Sequence, residues 1–226
     1  MMKLFVILVC AHVLADFLLQ PDCLVKNKHR FLVLGFHAVI HAVLVWLFVG
    51  QWSLWKLPAI VLLSHLLIDL LKRQTRDTAL AFTVDQILHV AVLAVLAVGL
   101  YRSGVLESIG WFYKPLVLFS GFVATVQGSG FLVTKVAGRL VDENELKLDG
   151  LKSGGRLIGQ LERALIFLLI LIGQPAGIGF LVAAKSILRF EEAKKQQLAE
   201  YVLIGTLLSF SLALALSMLT IWAVNL

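Results

Sequence analysis

Charge is what this chain has least of. Only 15% of its 226 residues are Asp, Glu, Lys or Arg, against 60% hydrophobic, and the mean hydropathy is +0.93. A soluble globular chain carries about a quarter charged residues, so the shortfall excludes disorder and most soluble enzymes. Four prolines and no glycine repeat exclude collagen-like and Pro-rich chains. The two cysteines, Cys10 and Cys23, are too few for a disulfide scaffold. Neither has a metal-type partner spacing, and both read as packing residues.

What is present in surplus is long apolar segments that need lipid to cover them. They are continuous rather than alternating, which argues against a β-barrel. The expected fold is therefore all-α, a polytopic transmembrane bundle. With about 20 residues per crossing, the sequence accommodates eight segments. Six are near Lys3–Gln20, Phe31–Val49, Leu57–Leu71, Leu80–Leu100, Pro115–Thr134 and Tyr201–Val224. The stretch Leu157–Phe190 supplies two more if it turns at Gly173-Gln174-Pro175, and a re-entrant pair is the alternative. The opening stretch lacks a basic leader and a small-residue cleavage site and carries His12 and Asp16, so it reads as the first membrane segment rather than a signal peptide.

The formal net charge of +6 would suggest nucleic acid in a soluble protein. Here the basic residues sit in short loops, which points to topology and anionic lipid instead, with no nucleic acid as partner. Lys26, Lys28 and Arg30 follow the first segment, and Lys72, Arg73 and Arg76 follow the third. A longer run from Lys135 to Arg156 follows the fifth, and Lys194 and Lys195 precede the last. Keeping these inside puts both termini outside the cytoplasm. The chain divides into a front module, residues 1–100, and a back module, residues 101–226. The back module holds a cytoplasmic linker at 135–156, the hairpin at 157–190 and the final helix at 201–224. Within it, Glu162 has Arg163, Lys185 and Arg189 as candidate partners for a structural clamp.

Each of the first four segments carries one polar pair spaced i, i+4: His12 and Asp16, His37 and His41, His65 and Asp69, Asp85 and His89. Residues four apart share one helical face. On the expected topology all four pairs fall in the same cytoplasmic half-layer. Such groups are costly in lipid and turn toward the bundle interior. Five histidines and three aspartates at one level read as a metal site, since four-helix bundles hold mono- and dinuclear centres with ligands from each helix. Mixed imidazole and carboxylate suits a divalent metal, zinc first, with iron or manganese as alternatives. Eight candidates exceed what one tetrahedral zinc needs. Either two ions share them, the favoured reading, or some only orient the ligands. Each single pair, taken alone, reads equally well as a helix–helix hydrogen bond. Lys72, with Lys26, Lys28 and Arg73, could ring the mouth and attract an anionic headgroup. His29 lies in the basic loop and is left out.

The run His12-Val-Leu-Ala-Asp16-Phe-Leu-Leu-Gln20, the pair His37 and His41, His65-Leu-Leu-Ile-Asp69 with Lys72, and Asp85-Gln-Ile-Leu-His89 together resemble the DUF3307 family, bacterial and phage membrane proteins of unknown function. The resemblance covers about residues 3–100 by motif. Residues 155–163 and 183–190 look like the longer members. It implies a bacterial inner membrane and brings no assigned reaction. The His/Asp layout is also loosely similar to membrane-bound metal-dependent hydrolases, by analogy alone.

Four functions follow as expectations. The first is an intramembrane metal-dependent hydrolase acting on a lipid-like ester or phosphoester at the cytoplasmic face. In it Asp16 or Asp85 serves as base and Lys72 binds the headgroup. The second is a transporter or ion-translocating protein using the same cluster. Helix breaks at the site would mark it, and the one strong sequence break, Pro175, is distant. A diiron oxidase and a metal-stapled structural partner complete the set. Membrane lipid is the expected partner, and homo-oligomerisation is left open.

Overall fold

The computed structural model describes residues 1–21, 24, 30–104, 112–145, 153–188 and 196–226. Among them all regular structure is helical. Helix α1 (Met2–Val13) runs into a π-helical turn, π1 (Leu14–Leu18). Then come α2 (Phe31–Val49), α3 (Lys56–Lys72) and α4 (Ala79–Arg102). Helix α5 (Tyr113–Val123) leads through a second π-helical turn, π2 (Ala124–Gly128), into α6 (Ser129–Glu143). The chain ends with α7 (Gly154–Leu171), α8 (Ala176–Leu188) and α9 (Gln196–Val224).

With each π turn counted as part of the helix it extends, the described residues form eight helical stretches. Only four of these are long and apolar enough to cross a membrane: Phe31–Val49, Ala79–Arg102, Tyr113–Glu143 and Gln196–Val224. This corrects the expectation of eight membrane segments. The physical reason is length and charge. Helix α1 has 12 residues before its π turn, α3 has 17, and α8 has 13. Helix α7 reaches 18 but carries Arg156, Glu162 and Arg163. A crossing needs about 20 predominantly apolar residues. The all-α expectation holds. Asp22, Cys23, Lys26, Lys28, His29, Lys147, Lys152, Arg189, Lys194 and Lys195 lie outside the described residues.

The chain folds as two compact units, Met1–Val123 with Trp222–Leu226, and Ala124–Ile221. In the first, α1 is apolar nearly all round, and Leu4, Ile7, Leu8 and Ala11 are fully enclosed. A helix of that pattern belongs at a centre rather than a surface, and α1 packs against α2, α4 and α5. Helices α2 and α3 pair along their length, and α3 in turn packs on α4. Local sequence sets the ends. Gly50 takes the left-handed conformation (φ 67°) that closes α2, where a Cβ would be strained. Thr78 caps α4 by accepting the Ala81 N–H at 3.1 Å. Tyr113 donates its hydroxyl to the Ala223 carbonyl at 2.8 Å.

In the second unit, Ile166, Ile178, Phe210 and Ala213 form the core. Gly173, at φ 71°, turns α7 toward α8. Glu162 takes Lys185 as its partner, Nζ to Oε2 at 2.7 Å. Arg163, buried, does not join that clamp. Its Nε and Nη2 donate to the Val126 carbonyl in π2 at 3.1 and 2.8 Å, and Nη1 donates to Ser209 Oγ at 3.1 Å. Two glycines make the room. A Cβ on Gly130 would meet Nη2 at 2.6 Å, and one on Gly159 would meet Nη1 at 3.0 Å.

Candidate metal centre

The polar pairs of α1, α2, α3 and α4 meet inside the first unit. His12, His37, His41, His65, Asp69, Asp85 and His89 are all buried, and the Asp16 side chain is 10% exposed. The π1 turn places Asp16. In it Leu19 N–H bonds back five residues to the Leu14 carbonyl at 2.9 Å, which widens the turn around the aspartate. Asp16 Oδ1 then stands 3.0 Å from His37 Nε2, 3.1 Å from His41 Nε2 and 4.0 Å from His65 Nε2. The two nitrogens of His37 and His41 are 3.3 Å apart. Four ligand atoms held about 2.0–2.2 Å from one tetrahedral ion lie about 3.3–3.6 Å from each other. The observed separations bracket that spacing, so an ion fits among these atoms with small adjustment.

A second group overlaps the first. One ligand atom each from His65, Asp69 and His89 lies within 4.8 Å of the others, as do those of Asp16, His37, His41 and His65. His89 is prepared for this. Its Nδ1 lies 2.8 Å from the Asp85 backbone carbonyl, an acceptor only, so Nδ1 carries the hydrogen. Nε2 is left with its lone pair, buried and without a hydrogen-bond partner. A ring N–H fixed on a backbone carbonyl is how histidine ligands are commonly oriented. His65 Nε2 is likewise buried without a hydrogen-bond partner. Beside these rings, a cavity of about 10 Å³ is lined by His12, His41, His65 and His89 with apolar Val45, Val61 and Leu93. That is about the least volume that admits one water.

The eight sequence candidates therefore divide. Asp16, His37, His41 and His65 form one possible ligand set, and His65, Asp69 and His89 the other. His12 and Asp85 belong to neither. Lys72 Nζ, 28% exposed at the side chain, donates to Asp85 Oδ2 at 2.6 Å and lies over the Phe82 ring. His12 Nε2 is 3.3 Å from Gln86 Oε1.

Gln86 is the member that spacing alone did not single out. Its Nε2 donates to Asp16 Oδ2 at 2.9 Å and approaches Asp85 Oδ2 at 3.4 Å, tying two aspartates and one histidine from two helices. The available signal was its place next to Asp85, one residue along a helix whose polar face was already identified.

Several long apolar helices, consistent with a multi-pass membrane protein, accompany a buried His/Asp cluster able to hold a divalent ion. Residues 4–112 match the family model described as Protein of unknown function (DUF3307). That stretch contains all eight candidate ligands, Gln86 and Lys72. No curated protein and no solved structure matches the chain.

Proposed function

We propose that the N-terminal module is an intramembrane metal-dependent hydrolase for a lipid-like ester or phosphoester. The observation that carries the proposal is the convergence of Asp16, His37, His41 and His65 at tetrahedral spacing beside a water-sized cavity. A divalent ion there would lower the pKa of a bound water and polarise the scissile group. Of the two aspartates considered as base, Asp16 is drawn into the ligand set. Asp85 is the better base, because its Oδ1 is buried without a hydrogen-bond partner and can accept a proton. Lys72 stands between Asp85 and the surface, where an anionic headgroup would meet it. Arg30, Lys72, Arg73 and Arg76 near this end of the unit support a site facing the cytoplasm across a bacterial inner membrane.

The test is elemental analysis of purified protein and of the His37→Ala/His41→Ala variant, followed by release of product from a phospholipid ester and a phosphodiester lipid. Metal in the wild type alone, with hydrolysis lost on chelation and restored by zinc or manganese, supports the reading. Metal-loaded protein that cleaves neither lipid removes the hydrolase.

A second reading, ion translocation, is favoured by one observation. The helix is irregular at the site itself, at π1, and not only near Pro175. Transporters place such irregular backbone at their ion sites. Metal uptake into proteoliposomes with no hydrolysis would select it.

A further inference from the structure

The overlap of the two ligand groups has a consequence for how many ions they hold. This rests on the cluster being a metal site, though not on its being a hydrolase. His65 belongs to both groups, and it faces both with the same atom. Its Nε2 is 4.0 Å from Asp16 Oδ1 and 3.8 Å from Asp69 Oδ2. An imidazole nitrogen has one lone pair and binds one ion at a time. While an ion sits with Asp16, His37 and His41, the other group keeps only Asp69 and His89.

Charge points the same way. The cluster contains three buried or nearly buried carboxylates, Asp16, Asp69 and Asp85, and the Lys72 ammonium paired with Asp85 at 2.6 Å. With histidines neutral as ligands, the sum is no more negative than −2, which one divalent ion is enough to cancel. A second ion would leave at least +2 in an environment where uncompensated charge is strongly penalised. Any further cation at the rim would only increase that penalty.

We infer that the cluster holds one divalent cation, which exchanges about His65 between an Asp16/His37/His41 position and an Asp69/His89 position, and that the Lys72–Asp85 pair excludes a second ion. Lys72 in this account is a stand-in cation. Its ammonium supplies beside Asp85 the positive charge that a second ion would otherwise bring.

The experiment is metal stoichiometry of the full-length protein in detergent, loaded with Co²⁺ so that absorption reports the ligand set. Wild type is expected to hold one ion per chain. Asp69→Asn is expected to keep one ion, with an altered d–d spectrum because the second position is lost. Lys72→Met is expected to raise the stoichiometry from one toward two. Two ions in the wild type would overturn the inference while leaving the metal centre intact. An Asp69→Asn spectrum identical to wild type would remove the exchange, and a Lys72→Met stoichiometry still at one would remove the role of Lys72. No bound Co²⁺ in any sample would take down the metal reading itself. Thermal unfolding of each variant separates a misfolded sample from an empty site.

Discussion

Replacing Gln86 by Met tests whether the amide organises the centre or merely fills space beside it. Met matches the length of Gln and removes every polar contact. Asp16 Oδ2 loses its donor at 2.9 Å, and Asp85 Oδ2 loses the weaker contact at 3.4 Å but keeps Lys72 at 2.6 Å. His12 Nε2 loses its partner at 3.3 Å. The largest loss is thus one hydrogen bond to a charged oxygen, worth about 1.5–3 kcal/mol. Loss of an outer partner of a metal ligand weakens binding about 10–100-fold, which corresponds to about 1.4–2.7 kcal/mol. The two routes agree. Competition for Zn²⁺ against a chromophoric chelator, with purified protein in detergent, should show the Gln86→Met variant weaker by that factor. An affinity within about twofold of wild type, with the fold intact, would refute the assigned role of Gln86.

Other substitutions probe the packing. Gly130→Ala should destabilise the second unit by about 1–3 kcal/mol, because its Cβ displaces the Arg163 guanidinium from Val126. Gly35→Ala, at the fifth residue of α2 with nothing within 4 Å, should stabilise by up to about 1 kcal/mol; thermal unfolding in detergent compares the two. Tyr113→Phe should cost about 0.6 kcal/mol, the average for a hydrogen bond between membrane helices, read from the unfolding midpoint in a denaturing detergent titration. Lys185→Met should cost about 1.5–3 kcal/mol by stranding Glu162, and adding Glu162→Gln should recover part of it. Equal stability of the single and double variants would contradict that pairing.

The centre was largely legible in the sequence because its signal is periodic. Four i, i+4 pairs on four consecutive helices specify four polar faces, and such faces can only be hidden by turning them on one another. Three things were not legible. The π turn at Leu14–Leu18 has no Gly or Pro to mark it, and it is formed by packing around Asp16 rather than by local preference. The fate of Arg163 was hidden because its acceptor is mainly a backbone carbonyl, and a carbonyl leaves no letter in the sequence; Glu162, with a side-chain partner, was narrowed to three candidates and found Lys185. The number of crossings was overstated because hydropathy marks apolar segments without saying how long each helix will be. Helix α1 breaks register at Asp16, and α8 is described over 13 residues.

A π turn is an α-helix carrying one surplus residue, and that surplus sets the phase between the two ends of the first helix. Upstream, Leu4, Ile7, Leu8 and Ala11 are keyed to the core; downstream, Asp16 is keyed to the histidines. Wound as a regular α-helix, the same residues would swing one end by about 100° relative to the other. The core would then fit only if the aspartate turned away, or the aspartate would fit only if the core came apart. Deleting Ala15 removes the surplus residue and leaves both ends in phase, so the core is expected to survive while only the local placement of Asp16 changes.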